Sequence, residues 1–261
     1  GVNKLSMKII TWNVNSVNVR QSHLEEILKN DQPAIVGLQE LKCETELFPC
    51  DAVKNLGYYS VASGQKAYNG VALISQLEPQ DIEIQLPNFE DVQQRLIAAT
   101  IGDYRVINVY VPNGQDVDSE KYEYKLQWLA AFHDYLEEAL KRYNNVIVMG
   151  DFNIVPTDDD VYAPELWQGK ILCSERERSA FNGILSLGFV DALRVFATQD
   201  PLFTWWDYRQ GQFEKDEGMR IDHFLLSKNV SARLMKVDVM RDVRAKDRPS
   251  DHAPVSIYLK S

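Results

Sequence analysis

Along the chain, short runs rich in Val, Ile and Tyr alternate with polar stretches marked by Gly, Pro, Asn or Asp. Runs of that length and composition predict β-strands at 8–12, 34–38, 71–75, 104–111, 145–149, 220–226 and 254–259. A different period governs the segment from about Ser119 to Arg142. There Tyr122, Leu126, Leu129, His133, Leu136 and Leu140 recur every three or four positions, with charged residues on the other face. That spacing predicts one long amphipathic helix. A shorter helix is predicted over 21–29, with Leu24, Ile27 and Leu28 facing inward. Strands in long runs with helices between them predict a layered α/β (α+β) sandwich.

No repeat, linker or composition shift divides the 261 residues, of which 45% are apolar and 25% charged. Such a composition excludes disordered, collagen-like and disulfide-scaffold classes. Apolar runs such as 146–149 and 224–226 fall far short of the roughly 18 residues a membrane span needs. Met7 reads as the natural start, with 1–6 an added remnant or disordered tail and 7–261 a single domain. Cys43, Cys50 and Cys173 cannot all pair, which points to a reducing, cytoplasmic compartment. No His/Cys cluster flanks Cys43 and Cys50, so a zinc site there is not expected. The charge balance is 28 basic against 38 acidic residues, a net of −10. Taken alone, that disfavours holding nucleic acid by bulk positive charge.

Candidate chemistry collects where polar groups interrupt strand ends. Asn13 and Asn15 follow Ile9-Ile10-Thr11-Trp12, and Glu40 terminates Ile35-Val36-Gly37-Leu38-Gln39. Val146-Ile147-Val148-Met149-Gly150 runs into Asp151 and Asn153; Asp222 lies in Arg220-Ile221-Asp222-His223; Asp251 and His252 precede the last strand. Each alone could be a turn former or a surface residue. Together they form an inventory of oxygen ligands plus one histidine, which suits a hard divalent cation and metal-assisted phosphate-ester chemistry.

These five segments, in this order and spacing, resemble the exonuclease III family of apurinic/apyrimidinic endonucleases, of bacterial type, within the wider endonuclease/exonuclease/phosphatase fold. The resemblance runs from Met7 to Lys260 and includes 64–72, 108–114 and 203–209. It implies two packed mixed β-sheets flanked by helices in four layers, as in deoxyribonuclease I. It also implies a Mg²⁺-dependent DNA repair nuclease, with Mn²⁺ as a possible substitute. The enzyme would cut on the 5′ side of abasic sites, leaving a 3′ hydroxyl, and would process 3′ ends as an exonuclease and phosphatase. A monomer acting on duplex DNA with abasic sites or 3′ ends, with no membrane partner, is expected.

By the same resemblance, Glu40 is the principal metal ligand, with Asn13, Asp151, Asn153 and Asp251 in or near the metal shell. Asp151 would orient and deprotonate the attacking water, and Asn153 would hold that water or a phosphate oxygen. His252 would donate to the phosphate, with Asp222 fixing its tautomer. Tyr110 would bond the phosphate from the opposite side. Gln65, Lys66, Tyr68 and Asn69, with Asn113 and Gln115, match loops that meet the DNA backbone, and Asn15 stands close by. Trp205 and Trp206 match an aromatic wall that accepts a flipped-out abasic sugar, one of them being expected there and the other in the core.

Two alternatives share these residues: a same-fold phosphatase or phosphodiesterase acting on a lipid or inositol phosphate, and a non-catalytic DNA-end-binding module. Tyr110, where such lipid and inositol enzymes usually carry a histidine motif, argues against the first, and the complete polar set argues against the second. Outside the site, His133 is expected to be core or half-buried, and His223 to point away from Asp222. Asp158-Asp159-Asp160 is expected to be a solvated loop or helix cap. Arg241, Arg244, Lys246 and Arg248 could either track a phosphate strand or form a solvated basic loop. The acidic excess would then lie at the metal site and on the back, giving a polarised surface.

Overall fold

The computed structural model describes residues 6–196 and 201–261. Of the expected tail at 1–6, residues 1–5 lie outside the described residues. Ser6 does not belong to a tail, because it opens the first strand and pairs with Lys260.

One sheet comprises β1 (Ser6–Asn13), β2 (Ile35–Gln39), β3 (Tyr59–Ser63), β4 (Val71–Ser75), β11 (Leu234–Val239) and β12 (Val255–Lys260), in the order β11-β12-β1-β2-β4-β3. The other comprises β5 (Gln80–Glu83), β6 (Leu96–Ile101), β7 (Tyr104–Tyr110), β8 (Val146–Asp151), β9 (Phe189–Asp191) and β10 (Asp222–Ser227), in the order β5-β6-β7-β8-β10-β9. Each sheet holds one parallel pair, β1/β2 and β7/β8, and the rest are antiparallel. Parallel neighbours need a crossover. Helix α1 (Val17–Asn30) supplies the first, α2 (Cys50–Asn55) packs beside it, and α3 (Glu120–Arg142) supplies the second. Further helices are α4 (Pro164–Trp167) and α5 (Glu175–Leu185), with single turns α6 (Ala192–Val195), α7 (Lys228–Ser231) and α8 (Arg241–Arg244).

Strands β2, β4, β8 and β10 are buried on both faces, which is why they read as nearly unbroken apolar runs. Ile9, Val71, Val106, Ile147, Phe224 and Ile257 fill the space between the sheets. The outer face of the first sheet meets α1 and α2 through Ile10, Trp12, Leu24 and Val53, and that of the second meets α3 and α5 through Phe132, Leu136, Phe152 and Phe181. The layers are therefore helix, sheet, sheet, helix, as expected. Among the described residues, no helix is long and apolar enough to cross a membrane.

A polar bridge ties the two sheets together close to the strand ends that carry the candidate chemistry. Buried Asn108 of β7 donates to the carbonyls of Leu38 (3.0 Å) and Ala72 (2.9 Å) and accepts from Gln39 (2.7 Å). Gly37 permits this approach, since a Cβ there would lie 2.5 Å from Met149 Cε.

The seven expected strands are present, with ends shifted by one or two residues, and the helices run longer at 17–30 or begin one residue after their cap, Ser119. On α3 the buried face carries Tyr122, Lys125, Trp128, Leu129, Phe132 and Leu136, so His133 flanks it half-buried. Unforeseen were β3, β5, β6, β9 and β11, and helices α2 and α4 to α8.

Candidate active site

The sheet directions explain how residues scattered over 240 positions meet. Asn13 and Asp151 end β1 and β8, and Glu40 follows β2. Strands β10 and β12 run antiparallel to β8 and β1, so Asp222, which begins β10, and Asp251 and His252, which precede β12, arrive at the same edge. Register places Asp222 opposite Asp151, and Tyr110 opposite Asp151 on the other side. Gly150 allows β8 to lie close against β7 beside Asp151: its φ is +151°, and a Cβ would sit 2.0 Å from the carbonyl oxygen of Val109.

Glu40, Asn15 and Asn153 adopt φ values of +56°, +44° and +49°. Non-glycine residues in that region cost free energy, and such residues cluster where the surrounding structure fixes a functional side chain. The fixing contacts are visible here. Asn13 directs its amide N–H groups to Asp151 Oδ2 (2.9 Å) and Glu40 Oε1 (3.1 Å), while its carbonyl caps the Asn15 N–H. Asn15 donates to Asp251 Oδ1 (3.3 Å) and accepts from Lys42 Nζ (2.8 Å), which also pairs with Glu40 Oε2 (3.1 Å). Two amides and one lysine thus link the three carboxylates Glu40, Asp151 and Asp251.

On the deeper side, His252 Nδ1 lies 2.8 Å from Asp222 Oδ2 and its Nε2 lies 3.6 Å from Asp151 Oδ2. Burial alone would push the imidazole down. Asp222, Asp151 and Asp251 outweigh it and raise the pKa of His252, so the ring is an imidazolium at neutral pH. Asp151 is also pushed upward, first by burial and then by Asp222, with His252 opposing. Thr204 Oγ1 accepts from the backbone N–H of Ile221 and Asp222 (3.1 Å each), which anchors the start of β10. Tyr110 donates to Glu40 Oε1 (3.1 Å), and Arg95 stacks on its ring at 5.1 Å. Burial, then Glu40 and Asp151, hold its hydroxyl well above its ordinary pKa, so it remains a donor.

The donor set fits a divalent cation. Glu40, Asp151 and Asp251 supply hard oxygens, and Asp151 and Asp222 lie buried beside them around His252, whose protonated ring leaves ligation to the carboxylates. Asp222 Oδ1 is buried without a partner, a sign of negative charge in excess of what the protein neutralises.

Of the expected DNA-contacting residues, Gln65, Tyr68, Asn69, Asn113 and Gln115 line one cavity of 640 Å³ that adjoins the site through Arg95 and Asn113. Lys66 lies on the same loop but is exposed outside that lining. The two tryptophans separate. Trp205 is half-buried, with Nε1 donating to Asp251 Oδ2 (3.0 Å). Trp206 is 0% exposed against Phe213 and so belongs to the core, which removes it from the DNA-facing set.

Other expectations change as well. The 158–160 run forms a cap as expected, with Asp158 and Asp159 exposed and Asp160 completing a capping box with Thr157, but Asp160 is buried and paired with Arg220 and Arg194. In the basic run, Arg244 turns inward to the carbonyls of Trp206 and Asp251, Arg241 pairs with Asp216, and Lys246 pairs with Glu26. Sequence reasoning missed Lys42, Arg95 and Lys125. No local pattern marked any of the three: Glu40 and Lys42 both sit at φ +56° in the segment after β2, and Lys125 is one charged residue among many on its helix.

Comparison with known proteins agrees with this geometry. The chain is 37% identical to exodeoxyribonuclease III of Haemophilus influenzae, over 97% of this chain and 100% of that one. It is 28% identical to DNA repair nuclease APEX1 of Danio rerio, over 97% and 82% respectively. A solved 3′ phosphatase from Neisseria bound to a product DNA hairpin superposes with a TM-score of 0.96 at 45% identity, covering 98% of this chain and 100% of that chain. An AP endonuclease from Archaeoglobus fulgidus does so with a TM-score of 0.94 at 37% identity, with the same coverage. Residues 10–252 match the pattern of the Endonuclease/Exonuclease/phosphatase family, and the chain belongs to that family.

Proposed function

We propose that the chain is a Mg²⁺-dependent DNA repair nuclease that hydrolyses phosphodiesters at abasic sites and at blocked 3′ ends, leaving a 3′ hydroxyl. The observation that carries this is the set Asp222–His252–Asp151, with Tyr110 across from Asp151 on β7 and the Asn153 N–H donating to Asp151 Oδ1 (3.0 Å). A bound Mg²⁺, held by Glu40 with Asp251, Asp151, Asn153 and Asn13 in or near its shell, would polarise the phosphate and offset negative charge; Mn²⁺ suits the same oxygens.

The chain's own groups supply the rest. His252, protonated and oriented by Asp222, donates to a non-bridging phosphate oxygen as charge accumulates there. Asp151 accepts the proton of the attacking water, and Asn153 holds that water or the phosphate by its amide. Tyr110 donates from the opposite face. The adjoining cavity supports a DNA strand as the occupant: its lining includes Arg95, Lys121 and five amide side chains but no Asp or Glu. Trp205 is our choice for the wall of the abasic pocket. The names of the relatives do not favour the lipid or inositol phosphate alternative. A single catalytic domain acting as a cytoplasmic monomer completes the proposal.

The test is incision of a duplex carrying one abasic analogue, alongside a 3′-phosphate end, with Mg²⁺ and with EDTA. Metal-dependent cleavage is expected. Both substrates left intact in Mg²⁺ would overturn the proposal.

A further inference from the structure

Beneath the amides of Asn113 and Asn153 lies a buried ion pair that the scheme above does not use. Lys125 of α3 and Glu177 of α5 are paired with both side chains 0% exposed. The ammonium has three protons and meets three acceptors: the Glu177 carboxylate, the Asn153 carbonyl at 2.6 Å and the Asn113 carbonyl at 3.1 Å. Glu177 is held in turn by the N–H of Leu172 (3.0 Å) and by the N–H and hydroxyl of Ser174 (3.4 and 2.7 Å). The lysine stem packs under Gly114, where a Cβ would come within 3.0 Å of Lys125 Cδ.

Helix packing alone does not explain a lysine here. Burial opposes its charge and lowers its pKa against the pull of Glu177, and apolar residues commonly replace a buried pair at no loss of stability. What the ammonium achieves, and an apolar side chain cannot, is to hold two carbonyls from two different loops at one point. Those loops carry the side-chain amides of Asn113 and Asn153, which meet at 3.4 Å. Asn153 itself sits at the strained φ of +49°.

We propose that Lys125, aimed by Glu177, is a positioning residue for phosphodiester cleavage: by clamping the carbonyls of Asn113 and Asn153 it fixes both side-chain amides against the substrate phosphate. This rests on the nuclease function proposed above. Displacing catalytic groups by a fraction of an ångström lowers turnover far more than affinity.

The test compares the full-length chain with a Lys125→Met/Glu177→Gln double variant, each with and without Asn153→Ala, on the abasic duplex in Mg²⁺. In the folded double variant, kcat should fall about 10- to 100-fold, with KM within about 3-fold of wild type. Asn153→Ala should cost much less in that background than alone, because the amide is already misplaced. A folded double variant with undiminished kcat, or with a loss confined to KM, overturns the clamp. If the double variant does not fold, Glu177→Gln alone decides: lower kcat at constant KM supports the clamp, and unchanged kcat overturns it. A wild-type chain inactive on every DNA substrate sinks the nuclease function and the clamp together. An active wild type with an unimpaired variant sinks the clamp alone.

Discussion

His252 Nδ1 stands 2.8 Å from Asp222 Oδ2, while the other oxygen of that carboxylate is buried with no partner. The carboxylate therefore does two things: it fixes which ring nitrogen faces Asp151, and it keeps the ring charged. Asp222→Asn retains shape but removes both effects. We expect kcat to fall by about 10²- to 10⁴-fold with little change in KM. Single-turnover incision of an abasic duplex measures this, and a loss under about 3-fold would remove Asp222 from the mechanism.

Glu40 is tied to Asn13, Lys42 and Tyr110, which leaves its carboxylate pre-aimed. Glu40→Gln should raise the Mg²⁺ concentration needed for half-maximal rate by about 10- to 100-fold. The same variant should lose the Mg²⁺-induced rise in melting temperature of the wild type. An unchanged metal requirement would place the ion elsewhere.

A pH dependence of stability comes from the cluster behind β10. His223 packs between Phe152 and Phe181, donates from Nε2 to the Ile154 carbonyl (2.9 Å) and presents Nδ1 to Arg220 (3.1 Å), so the ring is neutral. Burial first, and Arg220 second, lower its pKa from 6.5 to about 4. Asp160 is lowered from 3.8 to about 2, because Arg220 and Arg194 outweigh the upward push of burial. Both groups bind fewer protons folded than unfolded, His223 between pH 6.5 and about 4 and Asp160 between 3.8 and about 2. Their contribution is complete above pH 6.5 and is lost as pH falls, with His223 accounting for about 3 kcal/mol. Asp151, raised to about 7 by burial, takes up its proton over the same window with the opposite sign, so the readout is the difference between chains. On acidification from pH 6.5 to about 4, the urea midpoint of His223→Gln should lose less than that of the wild type. A slope that survives the substitution belongs to other groups.

Gly150→Ala would drive a methyl group into the Val109 carbonyl, inside a register that the catalytic aspartate depends on. The loss of stability should be about 1–3 kcal/mol, and turnover should fall further than stability predicts. Urea unfolding beside kcat at a temperature where the variant is folded separates the two. Wild-type turnover would show that the strand end can relax without moving Asp151.

Binding to DNA should weaken with salt despite the net charge of −10, because the cavity beside Tyr110 carries Arg95 and Lys121 without a carboxylate. Lys121→Ala should lower affinity for any duplex sequence alike and reduce the salt slope by about one ion. Fluorescence anisotropy over a salt series measures both. An unchanged slope would take Lys121 off the phosphate path.

Apart from β6, the strands with one buried position after another were legible in the sequence, and so were the polar residues at their ends, because an Asp or Asn closing an apolar run stands out. Edge strands were not. Gln80–Glu83 and Leu234–Val239 are largely exposed and carry polar residues, and α5 opens on Glu-Arg-Glu-Arg, which conceals its buried face. Pairings across layers escaped for a different reason. Asp160 with Arg220 and Lys125 with Glu177 are contacts between distant elements, and no local pattern distinguishes a charged residue bound for the interior from one bound for water. Trp205 and Trp206 are adjacent on an extended segment that runs between His252 and Met219, so which ring faces the site depended on strand direction.

The two sheets differ in how the chain supplies them. The second is built from one uninterrupted stretch, from Gln80 to Ser227, whereas the first joins strands that precede that stretch to strands that follow it, with β12 seated between β1 and β11. Strand β1 can pair with β2 early, but it gains its antiparallel partner only once Val255–Lys260 have been made. His252 and Asp251 arrive with those residues, so a nascent or prematurely terminated chain has no complete catalytic centre. Hydrolytic competence therefore waits on β12 and the segment just before it.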